Sequence, residues 1–193
     1  MRISAQIFTT TSTPLYQNNW VSPLGPLCLV ADDQGLRAVL WDNDLQSTRV
    51  LQYLSQIPTE GTQYILEATK NQLQDYFSGH RLKFELPLSI HGTFFQRQAW
   101  QALQNIDYGA TVSYKAQALA LGRSSAYRAV GHANSQNPLS IIVPCHRVVR
   151  HNQELGGYAG GITRKRTLLL HEQRVLKGNN HGLEDSLPLA ELK

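Results

Sequence analysis

Cys145 and His146 stand side by side in the stretch Ile141-Ile142-Val143-Pro144-Cys145-His146-Arg147-Val148-Val149. A thiol attacks as its thiolate, and a free cysteine with a pKa of about 8.5 is barely ionised at neutral pH. A base must therefore take the proton from Cys145, and His146 is the adjacent candidate. The apolar, β-branched approach reads as a buried strand that carries a nucleophile to a pocket. Neighbours on a strand point to opposite faces, so contact between these two side chains demands a bend or a bridging water. A histidine base also needs a third group to orient it, and Glu172 is the candidate carboxylate in the same half of the chain. On its own the dipeptide does not separate a catalytic pair from two core residues.

The rest of the chain has to position this pair. At 193 residues it suffices for one large domain or two small ones, each with a core. No apolar run reaches the roughly 18 residues of a membrane span, and Met1-Arg2-Ile3-Ser4-Ala5 does not open a signal peptide. The expectation is a soluble intracellular protein, cytoplasmic, or nuclear in a eukaryotic source. With only Cys28 and Cys145, neither a disulfide framework nor a cysteine-rich zinc site is expected. Cys28 lies in Leu27-Cys28-Leu29-Val30 and reads as an inert core residue.

Charge is unevenly spread. Residues 1–92 carry six Lys/Arg against eight Asp/Glu, whereas residues 93–176 carry ten against Asp107, Glu154 and Glu172. The basic segment is the one that holds Cys145, which favours a polyanionic partner there over an ordinary basic surface.

In the first half, Ile3 to Thr10 reads as a strand, and residues 26–31 and 36–41 flank Asp32-Asp33-Gln34-Gly35 as a β-hairpin. Leu66, Thr69, Leu73, Tyr76 and Phe77 share one face of a helix from about Gln63 to Phe77, stopped by Gly79. Leu82, Phe84 and Leu86 alternate with charged residues as in a half-buried strand. Residues 87–92 read as a linker.

The second half is helical in texture. Phe95, Ala99, Leu103 and Ile106 recur at helical spacing until Tyr108-Gly109. Ser113 is placed to cap a short helix that ends at Gly122, and Ser124 to cap the next, which ends before Asn137-Pro138. Together they make a helix-turn-helix. Its second helix carries small residues, Ala126, Ala129, Gly131 and Ala133, and one long cation, Arg128. Either the alanines pack against a neighbouring helix, or a smooth face approaches a narrow groove with Arg128 inserted. Gly156-Gly157-Tyr158-Ala159-Gly160-Gly161 forms a close-approach loop, Thr163 is placed to cap a last helix, and 177–193 reads as a flexible tail.

Pro144-Cys145-His146-Arg147-Val148 resembles the active-site signature of the O6-alkylguanine-DNA alkyltransferases, the methylated-DNA–protein-cysteine methyltransferases. The resemblance covers most of residues 93–172. It takes in Tyr108-Gly109, Ser113-Tyr114, Arg128-Ala129-Val130-Gly131, Asn137-Pro138, Gly157-Tyr158-Ala159-Gly160-Gly161, Lys165, Leu168-Leu169 and His171-Glu172. So many motifs in one order are not a chance match.

The resemblance implies a ribonuclease H-like α/β domain over 1–88, an antiparallel sheet plus helix. A mainly α domain over 93–176, with a winged-helix-like helix-turn-helix, would follow. It implies Cys145 as alkyl acceptor, His146 as base through a water, Glu172 as its carboxylate, Asn137 as brace and Tyr114 as donor to the leaving guanine. Val148, Tyr158, Ala159 and Gly160 would wall the pocket, with the Cys145 and Val148 backbone accepting the guanine amino group. Arg128 would fill the space left by a flipped nucleotide, with Ala126, Ala129, Gly131, Lys115 and Arg123 on the DNA. The implied partner is double-stranded DNA containing O6-alkylguanine, read by a monomer without cofactor or metal; cooperativity on DNA is left open.

The chain departs from the family pattern at His151-Asn152-Gln153, where a glycine is usual, and Asn152 is expected to take the left-handed turn position. Three other classes remain beside the transferase: a binding module that flags alkylated DNA, a transcription regulator and a Cys-His hydrolase. Retention of Cys145 argues against the first, the alanine-rich helix against the second, and the lack of a separate oxyanion motif against the third.

Overall fold

The computed structural model describes residues 14–42, 59–60 and 63–178. The strand expected over Ile3 to Thr10, and the tail from residue 179 onward, lie outside them. In chain order come β1 Tyr16–Ser22, β2 Gly25–Ala31, β3 Leu36–Trp41, β4 Thr59–Glu60, α1 Tyr64–Phe77 and α2 Phe94–Leu103. Then follow β5 Val112–Ser113, α3 Tyr114–Ala120, α4 Tyr127–Ser135, a 3-10 turn Cys145–Arg147, β6 Val148–Val149 and α5 Ile162–Leu176.

The expected hairpin is β2-β3, antiparallel, with Leu27 opposite Trp41 and Leu29 opposite Val39. Asp32 builds its turn: Oδ1 accepts the backbone N–H of Gln34 at 2.8 Å and of Gly35 at 2.9 Å. The other carboxylate oxygen pairs with buried Arg37 at 3.0 Å and accepts the Ser89 hydroxyl at 2.8 Å, tying the linker to the sheet. The sheet order is β3-β2-β1-β4. Only the two-residue β4 departs from the expected antiparallel arrangement, pairing parallel with β1. Helix α1 packs on the sheet through Leu66, Leu73 and Tyr76, as its spacing predicts.

The strand expected over 82–86 does not form. The segment bends at Leu82 and Lys83, both exposed, and Glu85 bonds through both N–H and C=O to the Gln72 side chain. Pro87 has no N–H to offer, and the segment meets the sheet only where Pro87 and Ser89 bond the backbone of Leu36.

Beyond the linker, Thr93 and Gln96 form a capping box at α2. Ser113 caps α3 by accepting the Ala116 N–H at 3.0 Å, and Gly122 ends the helix region with φ 69°. A buried amide pair, Gln117 with Asn134, locks α3 to α4 (2.7 and 3.3 Å). Two expected caps fail. Ser124 lies in the turn before α4, whose N-cap is Ala126 with no side-chain bond. Thr163 lies inside α5, which starts after Gly161 at φ 91°, a conformation glycine adopts without a Cβ penalty.

Trp41, Tyr76, Trp100, Leu139, Ile141 and Leu168 belong to one buried cluster, so the core runs from the sheet into the helical half. Side chains of this kind stabilise the fold by about 1.5–3 kcal/mol each when fully buried. Cys28 lies in a second cluster with Leu15 and Leu40, as its sequence context predicts. No helix among the described residues is long and apolar enough to cross a membrane. The edge of β3 also bonds the approach to Cys145: the Val39 N–H donates to Pro138 O and the Ser140 N–H to Val39 O.

Candidate active site

Cys145 is not on a strand. After the bridge to β3, the chain curls through Ile141, at φ 71°, into the 3-10 turn that begins at Cys145. Asn137 shapes this loop. Its Oδ1 accepts the Leu139 N–H at 3.0 Å, and its Nδ2 donates to Val143 O at 2.8 Å and to Cys145 Sγ at 3.2 Å. A β-branched residue at positive φ is strained, and burial of Ile141 within the core over-determines it. The β-branched composition suggested a strand; the Asn137 side chain, bonding across the loop, decides otherwise.

The turn sends His146 inward, fully buried, with Nε2 2.9 Å from Oε1 of Glu172, itself fully buried. Glu172 also accepts from Arg147 Nη2 at 2.9 Å, the Gly109 N–H at 2.9 Å and the Tyr76 hydroxyl at 2.9 Å. Burial opposes the Glu172 charge, but His146 and Arg147 outweigh it and hold the pKa at about 2. Burial keeps His146 below the ordinary imidazole value, with Glu172 pulling the other way. An ionised carboxylate only accepts, so Nε2 of a neutral His146 carries the proton. The lone pair is then on Nδ1, which is buried and has no hydrogen-bond partner. It is a base held ready for a proton.

A cavity of about 310 Å³ opens over Cys145, lined by Tyr114, Gly131, Ser135, Tyr158 and Ala159. Gly156 lets Tyr114 in: a Cβ there would sit 2.5 Å from the Tyr114 hydroxyl. Burial raises the Tyr114 pKa, with the Cys145 charge adding to it, so this phenol stays a donor. Behind the wall, Lys165 is fully buried and donates to Val148 O. Burial lowers its pKa to about 8, against an upward pull from Cys145.

The structure thus brings Cys145, His146, Glu172, Asn137, Tyr114, Tyr158, Ala159 and Gly131 to one place. Val148 and Gly160 do not line the cavity; the first offers its carbonyl to Lys165, the second packs on Trp41. The readings of the α4 alanines divide, since Ala133 is buried and Ala129 exposed. Arg128 is exposed, its guanidinium 5.6 Å over the Tyr127 ring, and Arg123 lies 5.2 Å over Phe95, with Lys115 exposed on α3. In the 151–153 turn the left-handed residue is Gln153, at φ 65°, not Asn152, whose side chain instead accepts the Glu154 N–H at 3.3 Å. Among the described residues no group of three or more His, Cys, Asp or Glu is placed to hold a metal ion.

Residues 94–174 match the model of the 6-O-methylguanine DNA methyltransferase DNA binding domain, and residues 15–90 that of the family's ribonuclease-like domain. A methylated-DNA–protein-cysteine methyltransferase of Shigella flexneri is 41% identical over 84% of this chain and 98% of its own length. One from Methanosarcina barkeri is 39% identical over 84% of this chain and all of its own length. The chain belongs to the 6-O-methylguanine DNA methyltransferase family.

Solved structures agree with that assignment. The Mycobacterium tuberculosis OGT in complex with DNA superposes with a TM-score of 0.73 at 39% identity, over 83% of this chain and 94% of its own. The O6-methylguanine-DNA methyltransferase of Pyrococcus kodakaraensis gives 0.60 at 26% identity, over 82% and 98%. Within the family frame, the residues that sequence reasoning missed lie mostly in the ribonuclease-like part. Trp41 donates from Nε1 to the Tyr158 hydroxyl at 3.2 Å, and Tyr76 reaches Glu172. Both sit on core faces, where sequence offers only an apolar pattern. Arg147 stands in the Pro144–Val148 signature, but the sequence assigns it no role.

Proposed function

We propose that this protein repairs DNA by transferring the alkyl group of O6-alkylguanine, and of O4-alkylthymine, to Cys145 in a single irreversible event. One observation carries the reading: Cys145 floors the cavity, and beside it a neutral, buried His146 keeps an unpartnered Nδ1 while Glu172 fixes its other nitrogen. A water between thiol and Nδ1 relays the Cys145 proton to His146. The thiolate sulfur then bonds to the alkyl carbon as the carbon–O6 bond breaks, and guanine leaves as an anion. The Tyr114 hydroxyl, at the cavity wall, offsets that charge. The product is a thioether, which nothing in the site hydrolyses, so each molecule acts once.

The lesion is out of reach inside a duplex and must flip, at a cost of a few kcal/mol. Arg128 occupies the vacancy, with Lys115 and Arg123 on phosphates and the small face of α4 against the minor groove. In this reading 1–88 is a ribonuclease H-like unit and 93–176 the DNA-binding and acceptor unit, with a winged-helix-like helix-turn-helix, 177–193 a tail. The sheet with α1 supports the former and the α3-α4 pair the latter. The protein acts as a cytoplasmic monomer on double-stranded DNA.

Intact-mass measurement after incubation with duplex O6-methylguanine is expected to show one added methyl, mapped to Cys145. Cys145→Ala is expected to lose transfer and keep lesion binding; transfer that survives the substitution rules out this acceptor. Arg128→Ala is expected to slow repair of duplex by about tenfold or more, given the flipping cost. Free base and single strands should be affected less, and equal losses on all three would remove Arg128 from the flipping step.

A further inference from the structure

We propose that Tyr76, on α1 of the ribonuclease-like half, is a positioning residue for the transfer: its hydroxyl fixes Oε1 of Glu172 in front of His146. The inference rests on the reading of Cys145 as acceptor and His146 as its base. Tyr76 and Glu172 are both fully buried. The same carboxylate oxygen receives the tyrosine hydroxyl, His146 Nε2 and Arg147 Nη2, each at 2.9 Å.

Tyr76 itself has no freedom to leave. Its ring lies 5.3 Å from Phe77, 5.2 Å from His171 and 5.9 Å from Tyr108, and its carbonyl faces His171 Nε2 at 2.8 Å. Burial, with Glu172 adding to it, pushes its phenol well above the usual range, so it keeps the proton that it donates to Glu172. The groups that face this network come from every neighbouring element. Helix α5 supplies Lys165, His171 and Glu172, with Arg174 acting on His171; the 3-10 turn supplies His146 and Arg147; Tyr108 comes from the loop before β5. Tyr108 is the internal contrast, since its hydroxyl is buried beside the same carboxylate yet has no hydrogen-bond partner.

A carboxylate that loses one donor concentrates charge on Oε1 and holds a proton on His146 more strongly. The neutral base then appears only at higher pH. In single-turnover transfer measured against pH, Tyr76→Phe is expected to move the acid limb upward by about one unit. That is about a tenfold loss of rate on the acid side, with rates above the limb returning to those of the wild type. Tyr108→Phe is expected to leave the limb in place.

A Tyr76→Phe profile that coincides with the wild type, or falls equally at every pH, overturns the inference. Should that variant not fold, 3-fluorotyrosine placed at position 76 alone is the second probe. It is a stronger donor and should move the limb down, and an unmoved limb overturns the inference equally. Wild-type protein that transfers no methyl to Cys145 would instead overturn the functional reading on which it rests.

Discussion

Glu172→Gln is expected to lower folding stability by about 3–5 kcal/mol, because it leaves a buried cation without its partner. Arg147 is the cation: it donates to Glu172 through Nε and Nη2, and its remaining bond is to the carbonyl of Ile106. A neutral amide also fails to impose the tautomer that leaves the lone pair on Nδ1, so transfer should slow by about a hundredfold or more. The pH dependence has a definite sign. The folded pKa of Glu172, about 2, lies below the 4.5 of a free glutamate. Its contribution is therefore complete above the unfolded value and is lost as pH falls through the folded one. Denaturant unfolding of both proteins should show a constant stability gap from pH 8 to about 5, narrowing below about 4.5. A gap that stays constant down to about pH 2 would mean that Glu172 carries no ionic role.

That network explains what sequence could and could not reveal. The hairpin around Asp32 and the buried face of α1 were legible, because periodicity and turn chemistry act locally. The strand at 82–86 was misread because alternation does not say who takes the hydrogen bonds: Gln72 takes those of Glu85, and Leu82 is left exposed. Cys145 was misplaced on a strand because the bonds from Asn137 that curl the loop span six to eight residues. Glu172 was found since a basic segment offers few carboxylates, and the roles of the motif residues came from family resemblance rather than from pattern. Tyr76 and Trp41 left no signal of chemistry, because a core face conceals a hydroxyl or an indole N–H. Charge misled in part. Arg147, Lys165 and Arg164 count toward the basic excess, yet they bond Glu172, the Val148 carbonyl and Asp42. Lys115, Arg123 and Arg128 stay exposed.

Gly160→Ala is expected to damage the pocket without any added group entering it. A Cβ at that position would lie 2.4 Å from Trp41 Nε1 and 2.5 Å from Cδ1, closer than real Cβ contacts allow. Trp41 cannot give way. It is fully buried, the Arg164 guanidinium lies 4.5 Å over its ring, and its N–H is spent on Tyr158. The glycine loop must therefore move, and with it Tyr158 and Ala159, which line the cavity over Cys145. Overpacking of this kind costs about 1–3 kcal/mol, and displacing a substrate wall by about an ångström costs up to about a hundredfold in rate. Replacing the indole should relieve the clash, so Trp41→Phe combined with Gly160→Ala is expected to recover part of the lost rate. A double-mutant cycle on transfer rate is the measurement, with a favourable coupling of about 0.5 kcal/mol or more expected for residues in contact. Losses that simply add would show that the two side chains do not set the pocket wall together, and that the glycine serves the backbone alone.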